Sequence, residues 1–370
     1  MALTAHHKWP ETLLQSGQIE NLHKVHNFCV LCSVMRIDLH QHIWTEPLLE
    51  KLSKRDRLPF TQKTHEVTVL HSAGELPYVI DLEAQAPECR AALLRKDGLD
   101  RAVLAISSPI GIEALPRDES LELIDAHLRG VEALPPQFQA WGPLALQHPD
   151  PKDVDNVLAR GCVGISLPSG AITGADRLNQ IGAVLERIAA RHAILFIHPG
   201  AAPGDNASFA NLGEPIWWHP LTVYVAWMQA AWLSFATLGR REFPELKVVF
   251  AMLGGGAPLL NERLSSRGGP RIELRDPNSF YESSSYGPEA VAMMANLVGE
   301  NQLLYGSDRP VVEPQATGRD LTLKTNAGNL LKVVKNEHDS RSARSLRTTA
   351  CHGHGLLATT GKPRSRQAHI

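Results

Sequence analysis

The chain has 370 residues, of which 43% are hydrophobic, so it is long enough to bury a large core as one big domain or two. Its formal net charge of −2 gives no reason to expect a nucleic-acid or acidic-membrane partner. An odd, scattered set of five cysteines is typical of reduced thiols, and no targeting signal is evident, so we expect a cytoplasmic protein.

The two ends of the chain differ in composition from its middle. Residues 1–33 contain four histidines and little periodic pattern, and residues 335–370 contain seven Lys or Arg against two Asp or Glu. Neither end has the apolar face that a packed element needs. We therefore predict a disordered leader over 1–33, a folded domain over 34–334 and a basic disordered tail over 335–370.

Short apolar runs alternate with helical patterns between these ends. The candidate strands are 34–38, 102–106, 138–146, 162–167, 194–198, 247–252, 278–284 and 302–305. Helical periodicity fits 119–130, 151–159, 177–191, 221–238, 257–266, 287–298 and 320–333. Eight strands with helices between them predict an α/β fold, a (β/α)8 TIM barrel in a single domain. A doubly wound open sheet is the competing α/β interpretation.

The longest uncharged run, 221–239, is long enough to touch the threshold for a membrane span. It contains Thr222, Gln229, Ser234 and Thr237, and these polar residues favour a buried core helix.

Three of the predicted strands end in residues that bind metal ions. The first, which ends at Asp38, continues as Leu39-His40-Gln41-His42, and alternate residues of a strand point to the same side, so His40 and His42 face one site. The fifth ends at His198, before Pro-Gly, and the eighth is followed by Asp308. Active sites of TIM barrels lie where the strands end, so these residues predict a shared site.

Three imidazoles and one carboxylate are a suitable ligand set for one divalent cation, with room for a water or a substrate. The set suits zinc best and also admits manganese, iron or cobalt. The fourth strand ends in VGISLPSG, which has no Lys, Glu or Cys to bridge a second ion. Asp308 also has the chemistry to accept a proton.

Four motifs, DLHQH, FIHPG, FPELKVVFAMLGGGAPLL and LLYGSDRP, occur in this order and together resemble the amidohydrolase-related family that includes aminocarboxymuconate semialdehyde decarboxylase. The resemblance covers residues 36–333. It implies a barrel of the metal-dependent hydrolase type with one zinc or similar ion, held by His40, His42, His198 and Asp308. Members of this family decarboxylate or hydrolyse small acids, aromatic acids and lactones.

The chain departs from the family at Met252, where members commonly have a histidine that handles proton or hydroxide transfer. A thioether is neither a general base nor a good ligand for a hard, hydrated ion. The three glycines that follow, Gly254 to Gly256, lack the spacing of a phosphate-binding loop and predict a sharp turn into a helix that starts near Pro258. Met252 is therefore assigned to the substrate pocket.

Three explanations for the missing histidine remain open: Asp308 acts alone, His219 replaces it, or the family reaction is lost. Trp217 and Trp218 precede His219 and are candidates for a substrate lid; the alternative is that they plug the barrel top. Arg309 is a candidate for binding a substrate carboxylate, with a structural ion pair as the alternative. Glu282 and Ser284 lie near the mouth, in directions that sequence does not determine.

Three functions remain open from sequence. The main prediction is a mononuclear metal-dependent hydrolase of a small ester, lactone or amide, and the first alternative is a metal-dependent decarboxylase, a lyase, of a small aromatic or unsaturated acid. The third is a non-catalytic metal-binding barrel. In each case the expected partner is a small molecule, with no nucleic acid and no membrane, and a homodimer is the expected assembly because dimers are the commonest oligomers.

Overall fold

The computed structural model describes residues 34–332, except for Glu66, Gly74 and 206–212. The predicted leader and the predicted basic tail lie outside the described residues, so the predicted domain boundaries stay predictions.

Parallel strands follow one another along the described chain with helices between them. They are β1 (Ile37–Gln41), β5 (Arg101–Leu104), β6 (Phe138–Ala140), β7 (Gly142–Pro143), β8 (Gly164–Pro168), β9 (Ile194–His198), β10 (Val248–Phe250), β11 (Ser279–Glu282) and β12 (Leu303–Leu304). One sheet has the order β1-β5-β6, and a second has the order β12-β11-β10-β9-β8-β7.

The two parallel sheets meet at both edges. At one edge, β6 and β7 are consecutive in the chain and are separated by Trp141 alone. At the other edge, the amide of Leu39 donates to the carbonyl of Tyr305 at 3.0 Å, and the amide of Asp308 donates to the carbonyl of His40 at 2.8 Å. The strands therefore form a ring, in agreement with the predicted barrel and against the open sheet.

The predicted strand 138–146 is divided in the structure. Trp141 separates the two segments; its indole is fully buried, stacks on Phe196 and donates from Nε1 to the carbonyl of Leu39 at 2.8 Å. Pro143 has no amide proton to donate to the ladder. The third barrel strand is therefore two short segments.

Helices lie between the barrel strands. They are α1 (Glu46–Ser53), α2 (Pro87–Lys96), α3 (Arg117–Glu132), α4 (Pro151–Ala159), α5 (Gly174–Gln180), α6 (Gly182–Ala190), α7 (Pro220–Glu242), α8 (Asn261–Ser266), α9 (Pro288–Val298) and α10 (320–332). The single helix predicted over 177–191 is two helices, α5 and α6, with a break at Ile181.

Between β1 and β5 the chain forms structure that the sequence patterns did not predict. Three antiparallel strands, β2 (Phe60–Thr64), β3 (Val67–His71) and β4 (Tyr78–Ile80), form a separate sheet, flanked in the chain by α1 and α2. Several side chains of β2 are exposed and polar, so the strand lacks the apolar run by which the barrel strands were recognised.

The glycine-rich segment after β10 turns in a left-handed conformation. Met252 and Leu253 have φ angles of 53° and 51°, and Gly254 to Gly256 have φ angles of 63° to 71°. This conformation costs a non-glycine residue about 1–2 kcal/mol. At Gly255 a Cβ would lie 2.9 Å from the carbonyl oxygen of Val225 in α7, so a glycine there lets the two segments approach closely.

By length and composition, α7 is the one helix in the described part of the chain that passes as a membrane-span candidate, with a mean hydropathy of 1.3. Met228, Ala231, Trp232 and Phe235 bury one of its faces in the core. Leu221 and much of the remaining surface are exposed or half-buried. The prediction of a buried core helix therefore holds for the face of α7 that carries Met228, Ala231, Trp232 and Phe235, and not for its whole surface.

Candidate metal centre at the mouth of the barrel

Four residues from three barrel strands meet at the carboxyl end of the ring. His40 lies in β1, His42 directly follows it, His198 is the last residue of β9, and Asp308 follows β12. One ligand atom from each lies within 4.8 Å of the others. The three imidazoles are buried, and the side chain of Asp308 is 15% exposed.

The shortest contacts in this cluster join histidine nitrogen and aspartate oxygen atoms, which are common metal ligands in proteins. The Nε2 atom of His40 lies 3.0 Å from Nε2 of His198 and 3.2 Å from Nε2 of His42. The Oδ1 atom of Asp308 lies 3.0 Å from Nε2 of His42 and 3.4 Å from Nε2 of His40.

The opposite nitrogen of each imidazole contacts an acceptor. His42 Nδ1 donates to the carbonyl of Ala105 at 2.9 Å, and His198 Nδ1 donates to the carbonyl of Pro199 at 2.8 Å. His40 Nδ1 donates to Oε2 of Glu282 at 2.9 Å. A neutral imidazole carries one proton, so a proton on Nδ1 leaves a lone pair on Nε2.

This donor set fits a divalent cation. Three Nε2 lone pairs and one carboxylate oxygen converge on a common space, and without a positive charge between them these groups repel one another. Histidine nitrogen with carboxylate oxygen is a ligand set found for zinc and for other first-row divalent metals.

The electrostatics of the cluster favour a bound positive charge. Burial lowers the pKa of His40, but the charges of Asp308 and Glu282 outweigh burial and raise it to about 9. Burial and the two neighbouring imidazoles lower the pKa of His198 well below its usual value. For Asp308 burial raises the pKa, but the neighbouring imidazoles outweigh it, so the pKa falls below its usual value and the carboxyl is ionised at neutral pH.

The backbone of Met252 contacts Glu282, which in turn contacts His40 of this cluster. Its amide donates to Oε2 of Glu282 at 3.4 Å, and its residue surface is 8% exposed. The position at which the family commonly has a histidine is therefore buried next to the carboxylate that contacts His40.

The predicted lid residues lie on the segment before α7. The indoles of Trp217 and Trp218 are 54% and 44% exposed, with ring centroids 5.8 Å apart. His219 is buried against the ring of Tyr224, and burial lowers its pKa, so the imidazole is neutral at pH 7. Substrate contact and catalysis by these three residues stay predictions.

Arg309 is engaged by carboxylates. Its guanidinium lies 3.4 Å from Oδ2 of Asp97 and 3.1 Å from Oε2 of Glu313, as the ion-pair alternative predicts.

Arg90 of α2 is a supporting residue that sequence analysis missed. It is buried and donates to the carbonyl of His42 at 2.8 Å and to Oε1 of Gln41 at 2.7 Å. No motif marks it, because its role depends on how α2 packs on β1.

No protein-family model matches the chain. Solved structures do match it over most of its length. An amidohydrolase II structure is 19% identical and covers 74% of this chain and 87% of its own, with a TM-score of 0.58. A 2,6-dihydroxybenzoate decarboxylase, solved with 2,6-dihydroxybenzoate, is 17% identical and covers 80% of this chain and 99% of its own, with a TM-score of 0.57.

A third match is the 5-carboxyvanillate decarboxylase of Novosphingobium aromaticivorans with bound manganese. It is 16% identical and covers 80% of this chain and 94% of its own, with a TM-score of 0.57. The chain has the amidohydrolase fold. The fold implied by the four sequence motifs is thereby confirmed, and within this amidohydrolase fold His40, His42, His198 and Asp308 lie at the barrel mouth.

Proposed function

We propose that the chain is a metal-dependent carboxy-lyase that decarboxylates a small aromatic or unsaturated acid. The observation that carries this proposal is the convergence of three Nε2 atoms and one carboxylate at the mouth of an amidohydrolase fold. Two of the structural neighbours, the 2,6-dihydroxybenzoate and 5-carboxyvanillate enzymes, are decarboxylases, which favours decarboxylation over hydrolysis.

His40, His42, His198 and Asp308 are the proposed ligands of one divalent cation, for which zinc and manganese both suit the donor set. A cation held there would polarise a carboxylate or carbonyl oxygen of the substrate. Three of the ligands are rigidly placed, because each imidazole is held at its second nitrogen.

Decarboxylation breaks the bond between the substrate carbon and its carboxylate, leaves the electron pair on that carbon, and needs one proton there as carbon dioxide leaves. Met252 has no proton to deliver. We propose that Asp308 and His219 handle this proton, because Asp308 is the partly exposed member of the cluster and His219 is a neutral imidazole. The carrier would take up a proton from solvent before delivering it.

Hydrolysis of a small ester, lactone or amide is the second candidate, and one observation favours it. Asp308 is a carboxylate that is ionised at neutral pH and can therefore accept a proton, and hydrolysis needs a proton acceptor first. The same four ligands serve both reactions, so the two candidates differ in the proton transfer. Decarboxylation needs a group that delivers a proton to the substrate, and hydrolysis needs a group that accepts one.

Trp217 and Trp218 are the proposed substrate-stacking residues, and Arg309 and Met252 the proposed pocket residues. A small-molecule substrate, a homodimer and a cytoplasmic location are the remaining proposals for this chain.

Substrate screening tests the proposal. The chain is prepared with one equivalent of Mn²⁺ or Zn²⁺ and offered hydroxylated benzoic acids, then lactones and esters, with carbon dioxide release and acid release measured separately. Decarboxylation in D2O places deuterium on the carbon that lost the carboxylate. Carbon dioxide release that persists after complete removal of metal, or the absence of any metal binding, would overturn the proposal.

A further inference from the structure

We propose that Glu282 is a positioning residue that orients His40 for cation binding and sets the affinity of the centre. This inference rests on the proposed metal-dependent function. Glu282 ends β11 and is 0% exposed, and its Oε2 accepts from His40 Nδ1 at 2.9 Å. It stands outside the four candidate ligands, since its carboxylate contacts the far side of the His40 ring.

The Glu282 carboxylate is held by donors from two segments. Oε1 accepts from the amide of Ser284, and Oε2 accepts from the hydroxyl of Ser284 at 2.9 Å and from the amide of Met252 at 3.4 Å. Gly306 provides the space, because a Cβ at this position would overlap the Glu282 carboxylate. The carboxylate is therefore built into the barrel mouth with little freedom to rotate.

The Glu282–His40 contact decides which nitrogen of His40 faces the cluster. A carboxylate acceptor at Nδ1 keeps the proton there and leaves the Nε2 lone pair directed at His198, His42 and Asp308. It also makes the imidazole a stronger electron donor toward a cation.

Among the three imidazoles, His40 is the one held by a side chain. His42 and His198 donate to backbone carbonyls, which are neutral and which no substitution removes. Glu282 instead adds a second negative charge close to the one on Asp308. We therefore expect the charge at position 282, and not merely a hydrogen bond, to contribute to cation affinity.

The test compares cation affinity in matched variants. Glu282→Gln keeps the length of the side chain and an acceptor oxygen but removes the charge. Its dissociation constant for Zn²⁺, measured by competition with a chelator, should rise about 10- to 100-fold, the range found when outer partners of metal ligands are changed. The melting temperature of the metal-free protein should change little. Glu289→Gln, the same change at an exposed position, should leave the affinity unaltered.

Two further measurements apply even when Glu282→Gln folds poorly. Ser284→Ala leaves Glu282 in place but removes one donor to its carboxylate, so Zn²⁺ affinity should fall by a smaller factor. In the Zn²⁺-loaded protein, histidine nitrogen NMR should show the His40 proton on Nδ1. Two results would overturn the role of Glu282 but leave the proposed metal centre standing. One is a proton on Nε2 of His40, and the other is unchanged Zn²⁺ affinity in Glu282→Gln while the unsubstituted chain binds Zn²⁺ fully. Absence of Zn²⁺ binding by the unsubstituted chain overturns the proposed metal centre and this inference together.

Discussion

The Nε2 atoms of His40 and His198 lie 3.0 Å apart, although the two residues are separated by 158 positions in the chain. Both rings point these nitrogens into one space because their Nδ1 atoms are engaged by Glu282 and by the carbonyl of Pro199. Two such lone pairs at this distance are favourable only with a proton or a cation between them.

Binding of a divalent cation should stabilise the folded chain. A cation that binds only the folded state adds about 2.7 kcal/mol at a free concentration of 100 times its dissociation constant. Thermal unfolding with and without Zn²⁺ or Mn²⁺ measures this, and a chelator should reverse it. An unchanged melting temperature with a saturating cation would contradict the proposed centre.

Asp308→Asn should reduce both cation affinity and turnover. The amide lacks the charge of the carboxylate and accepts a proton poorly, and loss of a general acid or base typically costs about 10²- to 10⁴-fold in rate. Metal content and turnover are measured on the same preparation, so that loss of the proton carrier is separated from loss of metal. Asp56→Asn, at an exposed position, is the matched control.

Met252→His should increase decarboxylation by about tenfold or more if a missing proton carrier limits the rate. Histidine tolerates the left-handed conformation of this position better than most residues do. Carbon dioxide release per bound metal is the measurement, and Met252→Leu, which restores no proton, is the control. An increase that merely follows a higher metal content would refute the proton-carrier explanation.

Trp217→Ala and Trp218→Ala should each raise KM several-fold with little effect on stability. Both residues are exposed, and surface substitutions usually change the free energy of unfolding by less than about 0.5 kcal/mol. Steady-state kinetics and urea unfolding on the same variants test this. Unchanged KM in both variants would remove these residues from the substrate pocket.

His127 should make the protein less stable in acid. It is fully buried on α3, and burial lowers its pKa from the ordinary 6.5 to about 4. The unfolded chain therefore binds a proton at His127 near pH 6.5, whereas the folded chain binds it only near pH 4. The stability contributed by neutral His127 is fully present above pH 6.5 and falls as the pH drops. At 1.36 kcal/mol per pH unit, the loss is about 3 kcal/mol by pH 4.

Urea unfolding of the metal-free protein between pH 7 and pH 4 measures this loss. His127→Leu, which cannot titrate, should lose less stability over this range than the unsubstituted chain. His148→Asn, at an exposed position, should follow the unsubstituted chain. Parallel pH curves for His127→Leu and the unsubstituted chain would show that His127 does not titrate in this range.

Sequence patterns predicted best where burial is continuous. The strand predicted over 194–198 has those bounds in the structure, because each of its residues is buried, and the helix predicted over 151–159 begins where the side chain of Asp150 caps it. The first strand was predicted over 34–38 but runs over Ile37–Gln41. His40 and Gln41 are polar and resemble a loop in sequence, yet both are buried, His40 within the candidate metal-ligand cluster and Gln41 between Asp38 and Arg90.

The amino-acid sequence by itself determined the α/β class and indicated the four candidate ligands, since apolar periodicity and the residues at strand ends are local properties of the chain. The closure of the strands into a ring was decided by contacts of β1 with the segment after β12. The tertiary structure alone decided that Glu282 contacts His40, that Arg90 supports β1, and that Met252 turns left-handed with its amide on Glu282. These contacts join residues far apart in sequence, and their direction depends on strand register and on the space left by Gly306. No local pattern carries that information.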